Sequence, residues 1–143
     1  MKIIALKRYP QRKQPCMEEE SLILIAKSGI EGDCHADGSS RQLSLMTMKD
    51  RKWMDVQEVK GFCFKKFKEN ILIDIGDRSL LPGMKLRMGE ALIRITNSGK
   101  ACHPELCPFT QADISCELSG GNLFAEVISG GAIRRGDSIE IEV

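Results

Sequence analysis

Cysteine and histidine are the residues in this sequence whose types and spacing could do chemistry. There are six cysteines and two histidines, and each histidine directly follows a cysteine, at Cys34-His35 and Cys102-His103. Cys102 lies in Ser98-Gly99-Lys100-Ala101-Cys102-His103-Pro104-Glu105-Leu106-Cys107-Pro108, directly after an apolar strand signal. A cation such as Lys100 close to a thiol favours the thiolate and lowers its pKa below ~8.5. Neutral His103 could instead act as a base towards it. The other pair sits in Gly29-Ile30-Glu31-Gly32-Asp33-Cys34-His35-Ala36-Asp37-Gly38, a loop dense in glycine and aspartate. If the two loops meet, Cys34, His35, Cys102, His103 and Cys107 supply enough soft ligands for zinc. Against zinc, no C-x2-C pair exists, and adjacent Cys-His pairs often cannot both reach one ion. Cys102 and Cys107 could also work as nucleophile and resolving thiol. The plainest alternative is a buried cysteine beside a solvated histidine. These readings stay open on the residues alone.

Other residues carry less. Cys63, in Gly61-Phe62-Cys63-Phe64, reads as a small hydrophobe. Met46, Met48, Met54, Met84 and Met88 read as core filler, and Glu18-Glu19-Glu20 as a solvated run. Lys65-Lys66-Phe67-Lys68 could hold a phosphate, though its default reading is a solvated turn. The glycines form neither G-x-G-x-x-G nor G-x4-G-K-[ST], so no nucleotide loop is present, and there is no G-x-S-x-G elbow.

The chain that must position these groups has 143 residues, the size of a single domain, 1–143. Hydrophobic residues at 42% and charged residues at 29% give a globular composition. A formal net charge of +1 argues against a general nucleic-acid or polybasic membrane binder, since both need a large field of one sign. No apolar run reaches the ~18–20 residues of a membrane helix, and the charged start does not suit a signal peptide. A cytoplasmic protein with reduced cysteines is expected.

Short apolar runs at Lys2–Lys7, Glu20–Lys27, Leu43–Met46, Ile71–Ile75, Met84–Met88, Ala91–Thr96 and Asn122–Ile128 predict strands, and Ser138–Val143 alternates with period two. Gly89-Glu90 suits a two-residue hairpin turn. Lys7–Lys13 predicts a turn between strands. One main helix is predicted over about 47–60, capped by Thr47 with Asp50, lined by Trp53, Val56 and Val59, and stopped at Gly61. A second short helix is predicted near Thr110–Leu118. Many short strands between glycine turns predict a mainly β fold, a closed or nearly closed β-barrel.

Several blocks resemble the MOSC family, named for the C-terminal domain of molybdenum-cofactor sulfurase. Gly29-Ile30-Glu31-Gly32-Asp33-Cys34-His35-Ala36 is similar to its G-I-x-G-D-x-H-A start, and Arg41-Gln42-Leu43-Ser44-Leu45-Met46 to the next block. Phe67-Lys68-Glu69-Asn70-Ile71 is similar to F-x-E-N-I, and Gly89-Glu90-Ala91-Leu92-Ile93-Arg94-Ile95 to G-E-A-x-I-x-I. Lys100-Ala101-Cys102-His103 resembles the block of the family cysteine, and Gly130–Asp137 the closing block. The blocks run in family order along nearly the whole chain.

The resemblance implies a barrel like the pyruvate kinase β-barrel domain, with Cys102 as the family cysteine. It implies that Cys102, held as thiolate by Lys100 and His103, takes up sulfur as a persulfide or binds molybdenum. Cys107 is a weaker metal-ligand expectation. Gly32, Asp33, His35, Arg41 and Asn70 are expected to bind the cofactor, the Gly32–His35 loop and Arg41 forming a wall opposite Cys102. That wall, with Lys100, would hold the phosphate of molybdopterin or an oxyanion such as molybdate. Pyridoxal phosphate belongs to the family's description, and no residue here argues for it. Against the longer reductase members, the resemblance implies a chain without their extra N-terminal region and with the Cys102-His103…Cys107 arrangement of short members, so complete reductase activity is not expected. The expected function is sulfur carriage, or molybdenum or molybdopterin binding, beside a sulfur donor or acceptor protein, as monomer or homodimer. The alternative is a zinc-binding or non-catalytic interaction module working beside a cofactor-biosynthesis enzyme.

Overall fold

A computed structural model describes residues 1–58, 68–97, 107–111 and 123–142. In chain order its elements are β1 (Lys2–Arg8), β2 (Met17–Glu19), β3 (Ser21–Ile25), β4 (Gly29–Ile30), β5 (Leu43–Thr47), α1 (Met48–Asp55), β6 (Ile71–Asp74), β7 (Lys85–Met88), β8 (Ala91–Asn97), α2 (Pro108–Gln111), β9 (Leu123–Ser129), β10 (Gly131–Arg134) and β11 (Ile139–Glu142). The fold is mainly β, with α1 as its main helix. Among the described residues no helix is long and apolar enough to cross a membrane.

Eight strands form one mixed sheet in the order β11-β7-β8-β9-β5-β6-β1-β2, and β10-β3-β4 form a second. Burial alternates along β3 and β11 as the pleat requires. Leu22 and Leu24 of β3 are buried between exposed Ser21, Ile23 and Ile25, and Ile139 of β11 is buried between glutamates that face water. β5 is buried along its whole length, because it lies inside the large sheet. It pairs parallel with β6 and antiparallel with β9. A parallel pair needs a crossover, and α1 lies on that connection, against both strands. One continuous apolar cluster draws on both sheets, with Ile3, Leu24, Leu45, Ile73, Ile93 and Ile133 at its centre.

The expectation is a closed or nearly closed barrel, and among the described residues neither sheet is closed into one. β1, the strand next to the β2 end, approaches the β11 end through an isolated bridge between Lys2 and Ser138 and a few further backbone hydrogen bonds. β1 gives Leu6, Lys7 and Arg8 to β2, and only its first residues face the β11 side.

The main helix also differs from expectation. Its cap is as predicted, with the Thr47 side chain accepting from the Asp50 N–H at 3.2 Å, but it ends at Asp55. Its buried positions are Asp50 and Met54, one turn apart, whereas Val56 is 75% exposed. Val59 and Gly61 lie outside the described residues, as do Cys63 and Cys116. Trp53 packs on Phe109 of α2, ring centroids 5.5 Å apart. The predicted second helix is seen as the single turn α2, and residues 112–118 lie outside the described residues.

Candidate functional site

The chain leaves β1 through residues 9–16 and leaves β4 through residues 31–42. These two loops lie together, held by hydrogen bonds in both directions. The Tyr9 N–H donates to Asp33 Oδ1 at 2.8 Å, and the Cys34 N–H donates to the Tyr9 carbonyl at 2.8 Å. The Asp33 side chain has no exposure to solvent. A buried carboxylate is costly unless hydrogen bonds satisfy it, and here they do. Oδ1 also accepts from Asn70 Nδ2 at 3.0 Å. Oδ2 accepts from the His35 N–H at 2.9 Å and stands 3.2 Å from His35 Nδ1.

Asn70, at the entry to β6, is the second anchor, 1% exposed. Its Nδ2 also donates to the Lys7 carbonyl at 3.1 Å, and its Oδ1 accepts from the Ser44 N–H at 3.0 Å. The Ser44 hydroxyl reaches the Lys68 carbonyl at 3.1 Å. Neighbouring Glu69 is also buried, and is compensated by Lys7 Nζ at 3.3 Å and Arg51 Nη2 of α1 at 2.6 Å. Tyr9 completes the frame by donating its hydroxyl to the Glu69 carbonyl at 3.3 Å. Burial, reinforced by Cys16 and Glu69, pushes the phenol far above its ordinary range, so it remains a neutral donor.

Beside this frame opens a cleft of about 220 Å³ lined by Tyr9, Arg12, Lys13, Cys34, His35 and Lys68, with Gln11 and Gln14 at its rim. Among the described residues Arg12, Lys13 and Lys68 have no carboxylate within ion-pair distance. Three cations and an imidazole lining one cleft suit an oxyanion. The Cys34 Sγ lies 3.4 Å from His35 Nδ1. Burial first, and the Asp33 charge second, push the Cys34 thiol above its ordinary value, with Arg12 opposing. Hydrogen bonds from Ser39 hold the nearby Asp37 carboxyl below the usual range.

Asp33, Cys34 and His35 bring one ligand atom each within 4.8 Å of one another. Both Asp33 oxygens are already engaged by N–H groups, which leaves a thiol and an imidazole for a metal. Of the residues singled out from sequence, Gly32 (φ +80°) gives its carbonyl to Arg8 Nη1 at 3.3 Å. Arg41 does not line this cleft; its guanidinium lies 4.7 Å above the Phe124 ring. Cys107 is half-buried just before α2. Lys100, Cys102 and His103 lie outside the described residues. The cleft's cations were not singled out as site residues. Their signal was the basic character of residues 7–13 and 65–68, which as turns gave no hint that they converge.

No known family model and no curated protein sequence matches this chain. Solved structures do. The YuaD protein from Bacillus subtilis superposes with a TM-score of 0.70 at 17% identity, over 98% of this chain and 94% of that one. YiiM from Escherichia coli matches with a TM-score of 0.61 at 18% identity, over 100% of this chain and 70% of that one. YiiM from Geobacillus stearothermophilus matches with a TM-score of 0.61 at 14% identity, over 99% and 75%. At these identities the likeness establishes a shared fold.

Proposed function

We propose that this chain is a short MOSC-type protein. Its Cys102 carries sulfur, or binds molybdenum or molybdopterin, in molybdenum-cofactor or metal–sulfur metabolism. One observation carries this reading. Asp33 of the G-I-x-G-D-x-H-A block, Ser44 of the following block and Asn70 of the F-x-E-N-I block are far apart in sequence, yet they share one buried hydrogen-bond network. Blocks that resemble a family in order are also joined in space. The fold shared with YuaD and YiiM supports the same family.

The cofactor's parts can be set against the residues present. Arg12, Lys13 and Lys68 fit a phosphate or a molybdate-like oxyanion by charge, with the His35 imidazole beside them. The cleft's volume of about 220 Å³ suits that end of a cofactor, being below the ~300–1,000 Å³ of a pocket that encloses a whole drug-sized ligand. Molybdenum, when bound, supplies the redox chemistry, and the residues of this chain bind and orient. In sulfur carriage the Cys102 thiolate attacks the outer sulfur of a donor persulfide and the donor thiolate leaves, so sulfur passes without net oxidation. Lys100 and His103 are the groups proposed to keep Cys102 ionised.

The test is intact-mass measurement after incubation with a sulfane-sulfur donor. The wild-type chain should gain one sulfur atom and Cys102→Ala should not. An adduct or molybdopterin binding that persists in Cys102→Ala overturns the assignment. A zinc-binding or interaction module is the second reading, favoured by the contact of Cys34 Sγ with His35 Nδ1. Stoichiometric zinc in the purified protein, with unfolding on chelation, would select it.

A further inference from the structure

We propose that a second cleft, where β5, β8 and β9 meet the turn between β3 and β4, binds a small organic carboxylate. Gln42 stands just before β5 and is only 3% exposed. Its Oε1 accepts the Val127 N–H at 2.9 Å. Only the oxygen of an amide can meet a peptide N–H, so the orientation of the side chain is fixed. Nε2 then presents two N–H groups, and among the described residues no acceptor lies within hydrogen-bond distance of them. Buried donors left unmade are costly and rare. Gln42 lines a cleft of about 340 Å³ together with Lys27, Arg94, Glu126, Val127 and Ile128.

The same peptide of β9 holds the second recognition group. The Lys27 N–H donates to the Val127 carbonyl at 3.0 Å, with Lys27 in the left-handed region at φ +63°. Val127 therefore anchors Gln42 through its N–H and Lys27 through its carbonyl. Arg94 is paired with Glu126, whereas Lys27 has no carboxylate partner among the described residues. The lining thus offers one uncompensated cation, one unpaired NH2 and an apolar wall at Val127 and Ile128. A monocarboxylate with a short hydrocarbon body uses all three. A cation would be repelled, and a dianion would find too few donors. This cleft shares no lining residue with the one at Cys34 and His35, so the inference stands apart from the role of Cys102.

The experiment is an NMR titration of the intact chain with sodium isobutyrate at constant ionic strength, with isobutyramide as the neutral isostere. Saturable shifts are expected at the amides of Lys27, Gln42 and Val127. Binding should weaken at least about tenfold in Lys27→Gln and in Gln42→Glu, which keeps an oxygen for Val127 but removes the donor. Isobutyramide should not saturate. If Gln42→Glu loses the native amide fingerprint, Lys27→Gln alone decides. Shifts that do not saturate, that map elsewhere, that match those of isobutyramide, or that are unchanged in the variants overturn the proposal and leave Nε2 with water only.

Discussion

Asn70 is the residue on which the two loops and β6 depend, because its amide serves Asp33, Ser44 and the Lys7 carbonyl together. Asn70→Ala would leave the buried Asp33 carboxylate and the part-buried Lys7 carbonyl each short of a donor, and the buried Ser44 N–H short of an acceptor, at a cost of about 3 kcal/mol. Urea denaturation measures this, and a loss under about 1 kcal/mol would mean that solvent replaces the amide. Cys34 gives a prediction in pH. Its thiol is raised, so it stays protonated at neutral pH. The stability tied to it is full below the ordinary thiol value of ~8.5 and falls as pH rises through the higher folded value. Arg12 is exposed and opposes that rise. Alkylation of Cys34 by iodoacetamide, mapped by peptide mass, should therefore move to higher pH in Arg12→Gln, and an unmoved profile would remove Arg12 as a neighbour that counts. At this scale the sequence revealed residue types that could react, and it marked Asp33, His35 and Asn70. It did not reveal that Arg12, Lys13 and Lys68 line one cleft, since that depends on residues more than fifty apart coming together.

At the scale of elements, legibility followed how local the cause was. β3 is readable from its apolar run, β8 and β11 from alternation, and the helix cap from Thr47 and Asp50, because these are short-range effects. β2 was hidden in an acidic run, and β10 begins inside a glycine pair, because an edge strand is made by its partner and not by its own residues. The helix face differs from the Trp53–Val56 spacing because α1 packs against β5 and β6 with Asp50 and Met54 as its buried positions. The hairpin of β7 and β8 was legible and gives a graded prediction. Gly89 has φ +54°, and a Cβ there would lie 2.5 Å from Asp137 Oδ2 and 2.8 Å from the Ala132 carbonyl. Gly76 has φ +63° and open space around it. Gly76→Ala should cost about 1 kcal/mol from the backbone alone. Gly89→Ala should cost at least about 2 kcal/mol, since backbone as well as a side chain must shift. Equal losses in thermal unfolding would show that the hairpin gives way freely at Asp137 and Ala132.

For the whole molecule the decisive feature is the seam between β1 and the β11 end of the large sheet. It was not legible, because strand count and turn spacing are the same for a sheet that closes and for one that stops short. Here the Ile3 N–H donates to the Asp137 carbonyl at 2.9 Å, Gly136 N–H to the Ile3 carbonyl at 2.8 Å, and Ile139 N–H to the Met1 carbonyl at 3.0 Å. These few bonds join β1 to the turn before β11, next to an irregularity in the β1–β6 register between Ile3 and Ala5. By contrast Leu45 of β5 pairs with Ile71 on one side and Leu123 on the other, within the fully buried cluster. Opening the seam breaks few contacts, whereas exposing Leu45 takes the sheet apart. In native-state hydrogen exchange the amides of Ile3, Gly136 and Ile139 should therefore exchange at least about a hundredfold faster than that of Leu45. The difference should shrink as denaturant brings global unfolding into play. Were the seam amides as slow as Leu45 in the absence of denaturant, β1 and the β11 end would be opening only with the whole molecule, and the seam would have to be counted as a full closure of the barrel in energetic terms.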